Sequence, residues 1–161
     1  MLVLGIDPGI AATGFGLVEE GNREHGLLDY GCIVTDKSQS TEERLQELYH
    51  EMVHLIKKSE PDCVSIEKLF FAKNTRTAML VSQARGVVIL AAAEAGIKIA
   101  EYTPLEVKMS LTGYGRADKR QIQEMVKILL RLKEIPKPDD AADALAIAIC
   151  HLNSYKIKSL V

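Results

Sequence analysis

Four acidic residues occupy positions where a folded chain meets the greatest cost for charge. Asp7 closes the apolar run Leu2-Val3-Leu4-Gly5-Ile6, Glu67 closes Cys63-Val64-Ser65-Ile66, and Asp140 and Asp143 open the apolar segment that runs from Ala141 to Ile149. Withdrawing a carboxylate from water is expensive even after relaxation, and neighbouring carboxylates repel one another. A divalent cation shared among them offsets both costs. Hard oxygen donors favour Mg²⁺, with Mn²⁺ as a substitute, over zinc. Such a set suits phosphoryl transfer, in which two ions about 3.5–4 Å apart activate water and stabilise the leaving 3′ oxygen of a phosphodiester.

Taken singly, the acids other than Glu67 have ordinary explanations. Asp139, Asp140 and Asp143 match the acidity of a helix N-terminus, and Asp7-Pro8-Gly9 reads as a turn. Their combination at the ends of buried elements is what points to a site.

Two other motifs compete. His50-Glu51-Met52-Val53-His54 matches the H-E-x-x-H zinc-protease pattern. At 100° per residue, however, Leu45, Leu48, Met52, Leu55 and Ile56 share one helical face and the two histidines take the opposite one. Solvent-facing histidines lack the supporting partners that a catalytic zinc pair requires. Asp7-Pro8-Gly9 with Thr13-Gly14 resembles the first phosphate loop of actin-like ATPases and sugar kinases, but those need two such domains and this chain has length for one.

The elements that must carry the acids are legible. Residues 2–7, 13–19 and 27–35 read as strands joined by turn residues, followed by a helix from Thr41 that Pro61 stops, and a strand at 62–67. Asn74 is placed to N-cap a long helix reaching Ala95, with Gly96 beyond it. A strand at 98–102 leads into Thr103-Pro104-Leu105-Glu106, an N-cap with Pro at the first helical position and a capping-box acid. Asp118 and Gln121 repeat that logic for a helix to about Leu132, and the last helix starts near Pro138. The alternation predicts an α/β domain whose mixed sheet is covered by helices on both faces. If the strands ending in Asp7 and Glu67 are parallel neighbours, their carboxylates emerge on one sheet edge. Asp140 and Asp143, three apart in a first turn, share one face near the positive end of the helix dipole.

Charge is segregated along the chain although the net is only −2. Residues 1–67 carry 5 Lys/Arg against 13 Asp/Glu, residues 68–133 carry 12 against 5, and residues 134–161 carry 3 against 4. A basic middle third beside an acidic site suits a polyanionic partner. Lys68, Lys73, Arg76, Arg85, Lys108, Arg116, Lys119 and Arg120 lie in that third, and Phe70 and Phe71 follow Glu67 closely enough to stack on an unpaired base. The Gly113-Tyr114-Gly115-Arg116 loop precedes a helix N-terminus, where phosphate can bind.

These residues carry a resemblance. Gly5-Ile6-Asp7-Pro8-Gly9, Ile66-Glu67 with Phe70 and Ala72-Lys73-Asn74, Gln83-Ala84-Arg85-Gly86-Val87, Val107-Lys108, and the run from Asp140 to Ala148 stand in order over nearly the whole chain. Together they resemble the RuvC family of bacterial Holliday junction resolvases, within the ribonuclease H-like superfamily. The resemblance implies a ribonuclease H-like α/β fold with a five-stranded mixed sheet, a homodimer, and paired Mg²⁺-dependent nicks at four-way DNA junctions in recombination and repair. It implies Asp7, Glu67, Asp140 and Asp143 as catalytic acids and metal ligands, although family members can carry His at the position of Asp140. It further implies Phe70 as a base-contacting aromatic, Lys108 and Lys119 as basic residues near the active site, and the RuvA–RuvB branch-migration complex as a partner. Lys73, Arg76 and Arg116 are additional candidate DNA contacts. A junction-binding protein without cleavage, or a related nuclease acting on RNA, are the alternatives.

The remaining features set bounds. At 161 residues the chain fits one domain, expected to span 1–161. Its longest apolar run, Val87 to Ala93, is far shorter than the ~20 residues of a membrane span, and the start lacks the basic region of a signal peptide. A cytoplasmic protein is expected. Cys32, Cys63 and Cys150 are odd in number and widely separated, so they read as core thiols. With a pI near 6.1, DNA affinity should be local and salt-sensitive.

Overall fold

A computed structural model describes residues 1–22, 24–68 and 75–158, and their side chains except at residues 75–77 and 156–158. The expectations for Phe70, Phe71 and Lys73 and for the Asn74 cap lie outside the described residues, as does the Arg76 side chain.

Five strands form one mixed sheet in the order β3-β2-β1-β4-β5. β1 (Leu2–Asp7), β2 (Ala12–Glu19) and β3 (Gly26–Val34) are an antiparallel meander, while β4 (Cys63–Glu67) and β5 (Lys98–Tyr102) add in parallel to β1. The parallel crossovers are helical: α1 (Thr41–Ser59) connects β3 to β4 and α2 (Thr75–Glu94) connects β4 to β5. α3 (Pro104–Thr112), α4 (Lys119–Leu129) and α5 (Asp139–Lys158) follow.

Alternation along the strands divides the core in two. Leu4 and Ile6 of β1 and Val64 and Ile66 of β4 pack with Leu48, Met52 and Ile56 of α1 and Ala84, Val88 and Ala91 of α2. Val3, on the other face, joins the core built by α3, α4 and α5. Since side chains alternate along a strand, Gly5 and Asp7 share the face of Val3, and Glu67 takes the face opposite Ile66. Both acids therefore look toward α3–α5.

The local signals that start the helices are satisfied. Thr103 and Glu106 form a reciprocal capping box at α3 with Pro104 in the first turn, and Asp118 and Gln121 form another at α4. α1 begins at Thr41 as expected, capped by Ser40 in a box with Glu43. α4 ends at Leu129, three residues before the expected Leu132, as Arg131 takes a left-handed φ of 52°. Gly96, at φ 69°, lies just beyond α2 as expected.

α5 is the central helix of its layer. Ala141, Ala142 and every residue from Ala144 to Leu152 are buried. It lies directly on β1 and β2 because three glycines clear the way. A Cβ at Gly5 would collide with the Ala144 carbonyl, one at Gly14 with the Asp140 carbonyl, and one at Gly16 with the Leu145 side chain. Small residues on both surfaces bring the backbones together, and the first turn of α5 comes to rest beside the end of β1.

Candidate active site

The pairing of Ile6 with Ile66 in the parallel β1–β4 ladder makes Asp7 and Glu67 the next residues out on the same sheet edge. Gly14, the cross-strand partner of Asp7, carries Asp140 above it. Asp143 sits one turn further into α5. A cavity of about 200 Å³ opens there, lined by Asp7, Glu67, Asp143, Lys108, Lys119, Pro104, Val107, Ile122, Ala146 and Ile147. Three of the four sequence-selected acids and two of the selected lysines thus meet in one cleft.

Asp140 is half-buried and not among the lining residues, though its charge is felt at Asp7 and Asp143. Arg116 is exposed on the α3–α4 loop, outside the cleft lining. The phosphate-binding expectation for the α4 N-terminus meets an obstacle: the Asp118 carboxylate accepts from the Gln121 amide at 2.8 Å, placing negative charge where the anion would sit. His50 and His54 are exposed on α1, away from the buried face of Leu48, Met52 and Ile56. Cys63 and Cys150 are buried and Cys32 is half-buried, and no disulfide joins them.

The electrostatics of the cleft are those of carboxylates short of positive charge. Burial, then the charges of Asp143, Glu67 and Asp140, push the Asp7 carboxyl up from 3.8 to about 7, with Lys119 opposing. Burial and Asp143 also raise Glu67 against the pull of Lys108. Asp143 is raised by burial, which outweighs its hydrogen bond and charge contact with Lys119. The Lys119 ammonium lies 3.1 Å from Asp143 Oδ2 and 3.2 Å from Asp139 Oδ2.

A divalent cation fits this chemistry. The acids offer hard oxygen donors, and the burial and mutual repulsion that raise the Asp7 carboxyl are costs a cation would offset. Among the described residues, no three His, Cys, Asp or Glu side chains already converge as a ligand set.

Several positioning roles escaped the sequence reading. Gly5, Gly14 and Gly16 set the height of α5, and their signal was small residues at matched positions on paired strands. Arg85 donates through Nε to the Glu67 carbonyl at 3.4 Å while its Nη2 is ion-paired with Glu101, tying the ends of β4 and β5 to α2. Gln123 donates to Asp139 at 3.1 Å.

A meander extended by two parallel strands, with helices on both faces and acids at the adjoining ends of β1 and β4, is the ribonuclease H-like fold with a carboxylate site. Residues 3–151 match the family model of the crossover junction endodeoxyribonuclease RuvC. The chain belongs to the RuvC family. The crossover junction endodeoxyribonuclease RuvC of Ruminiclostridium cellulolyticum is 54% identical over 161 residues, covering 100% of this chain and 97% of that protein. The Thermus thermophilus RuvC structure superposes with a TM-score of 0.90 at 35% identity, over 98% of this chain and 97% of that one. A T. thermophilus RuvC in complex with Holliday junction substrate matches with a TM-score of 0.89 at 33% identity, over 98% and 96% of the two chains.

Proposed function

We propose that this chain forms a single nuclease domain over residues 1–161 that resolves four-way DNA junctions by paired, metal-dependent phosphodiester hydrolysis, acting in recombination and repair. The observation that carries the reading is the convergence of Asp7, Glu67 and Asp143 with Lys108 and Lys119 in one cleft. Family membership and the junction-bound relative support the substrate.

Asp7, Glu67, Asp140 and Asp143 would hold the cations, two Mg²⁺ ions with Mn²⁺ as a substitute. When bound, these ions supply Lewis-acid chemistry to water and to the phosphate. Asp7 and Glu67 present carboxylates from rigid strand ends, so the ligand frame costs little ordering at the moment of reaction. Asp140 and Asp143 complete it from α5. Lys108 and Lys119, on the cleft wall, neutralise phosphate charge as it develops. Product polarity follows from attack on the phosphate with a 3′ oxygen leaving, giving 5′-phosphate ends.

Lys73, Arg76 and Arg116 are further candidate DNA contacts, and Phe70 a candidate contact for an unpaired base. A homodimer suits a junction with approximate two-fold symmetry, since a C2 pair carries two identical sites. Met79 and Leu90 are exposed on α2, opposite to its core residues Ala84, Val88 and Ala91, and offer an apolar surface for the second copy. The RuvA–RuvB motor is the expected companion. No described helix is long and apolar enough to cross a membrane, in keeping with a cytoplasmic site of action.

The decisive experiment incubates the protein with a synthetic four-way junction, a linear duplex and an RNA–DNA hybrid, with and without Mg²⁺, and maps cuts on each strand. Symmetrical nicks in the junction alone, dependent on Mg²⁺, are expected. Cutting of the hybrid in preference to the junction would overturn the reading. Junction binding without cutting at any metal concentration would leave a binding protein in its place.

A further inference from the structure

α4 and α5 face each other across a two-by-two ladder. Lys119 and Gln123 are one turn apart on α4, and Asp139 and Asp143 are one turn apart on α5, so each pair presents one helical face to the other. Lys119 Nζ reaches Asp139 Oδ2 at 3.2 Å and Asp143 Oδ2 at 3.1 Å, and Gln123 Nε2 donates to Asp139 Oδ1 at 3.1 Å. Both oxygens of Asp139 are therefore engaged, which fixes the plane of its carboxylate.

The two acids that share Lys119 are not equivalent. Asp143 lines the carboxylate cleft and its side chain is 34% exposed, whereas Asp139 is 67% exposed and lies outside the lining. An exposed ion pair adds little to stability, so the only evident structural task of Asp139 is the ordinary acidity of the first turn of α5. A cation in the cleft would take Asp143 and leave Lys119 with one of its two anchors. Without that remaining anchor, a lysine more than half exposed would regain the rotamer freedom of a long side chain and swing into solvent.

We propose that Asp139 is a positioning residue for Lys119, retaining its ammonium at the cleft when Asp143 turns to a cation. The proposal rests on the nuclease reading above. Asp139 lies outside the cleft lining and acts only through the lysine. Asp118 as N-cap fixes the start of α4, so the reach of Lys119 is set from a rigid base.

The test compares Asp139→Ala, Asp139→Glu, Lys119→Ala and the Lys119→Ala/Asp139→Ala double variant in single-turnover junction cleavage at saturating Mg²⁺. Loss of retention should slow Asp139→Ala by roughly tenfold, less than the ~10²-fold of an ångström-scale misplacement because the freed lysine still visits the cleft. Asp139→Glu should recover most of the rate, and the double variant should be no slower than Lys119→Ala, because a residue acting through the lysine has nothing left to position. The Mg²⁺-induced rise in Tm, read without DNA, should keep its midpoint within about twofold in Asp139→Ala, because the exposed Asp139 carboxylate acts on Asp143 less than burial and Lys119 do. A wild-type rate in Asp139→Ala overturns the proposal, as do losses that multiply in the double variant. Disappearance of the Mg²⁺ shift would make Asp139 a metal ligand and equally overturn it. Failure of the unmodified protein to cut at all would instead sink the nuclease reading.

Discussion

Gly14 lies directly beneath the Asp140 carbonyl, so close that no side chain at position 14 could coexist with the first turn of α5. The contact joins the strand that pairs with Asp7 to the helix that carries Asp140 and Asp143. Site geometry is thus set by a backbone approach, with the acids as its passengers. Gly14→Ala must push α5 away from the sheet. Cleavage should fall about 10²-fold or more, the cost of an ångström-scale misplacement, with a lowered Tm. Single-turnover rates with thermal melts measure both, and near-wild-type cutting would show that the approach is not needed.

Asp7 is the most strained carboxylate of the cleft, and its removal should separate stability from activity. In the metal-free protein its carboxyl holds a proton up to about pH 7, against 3.8 for the free side chain. The native state then binds the extra proton between those values, so this group lowers stability as pH rises through that window. Asp7→Asn should therefore raise the Tm of the metal-free protein above pH 7. The gain is roughly 1–3 kcal/mol after screening, and it should fade toward pH 4 while junction cutting is abolished. A melt series from pH 4 to 8 reads the sign.

The same proton governs metal loading. Asp7 must be ionised to bind a cation, so metal affinity should rise with pH until Asp7 titrates. At limiting Mg²⁺, cleavage should increase by about tenfold per pH unit below 7 and level off above it. Saturating Mg²⁺ should move the break to lower pH, because the cation stabilises the carboxylate. A flat profile at limiting metal would show that Asp7 does not ligate.

Arg85 holds the Glu67 carbonyl and is ion-paired with Glu101. Arg85→Lys keeps the charge but loses the planar fork that serves two partners. The expected result is a several-fold loss in turnover with junction affinity retained, measured by cleavage and gel-shift side by side. An equal loss of affinity would assign Arg85 to the DNA surface instead.

His50→Ala and His54→Ala should leave cleavage and metal content unchanged. Both histidines are exposed on α1, while the carboxylate cleft lies beyond the opposite face of the sheet. Stoichiometric zinc lost in either variant would revive the zinc-protease motif.

What the chain alone determined was local. Apolar runs ending in an acid fixed β1 and β4, Thr103-Pro104 with Glu106 and Asp118 with Gln121 fixed two helix starts, and the apolar run after Asp140 fixed α5, because caps and periodicity act within a few residues. The identity of the acids was legible for the same reason, since charge at the end of a buried element is conspicuous in one dimension. Tertiary structure alone decided which acids meet: Asp7, Glu67 and Asp143 line the cleft and Asp140 stands beside it. It also decided that Lys119 pairs with Asp139, 20 residues away along the chain. The glycines that lower α5 onto the sheet read as ordinary strand positions until the facing helix was in view. Close approach is a property of two surfaces, and a sequence shows one at a time.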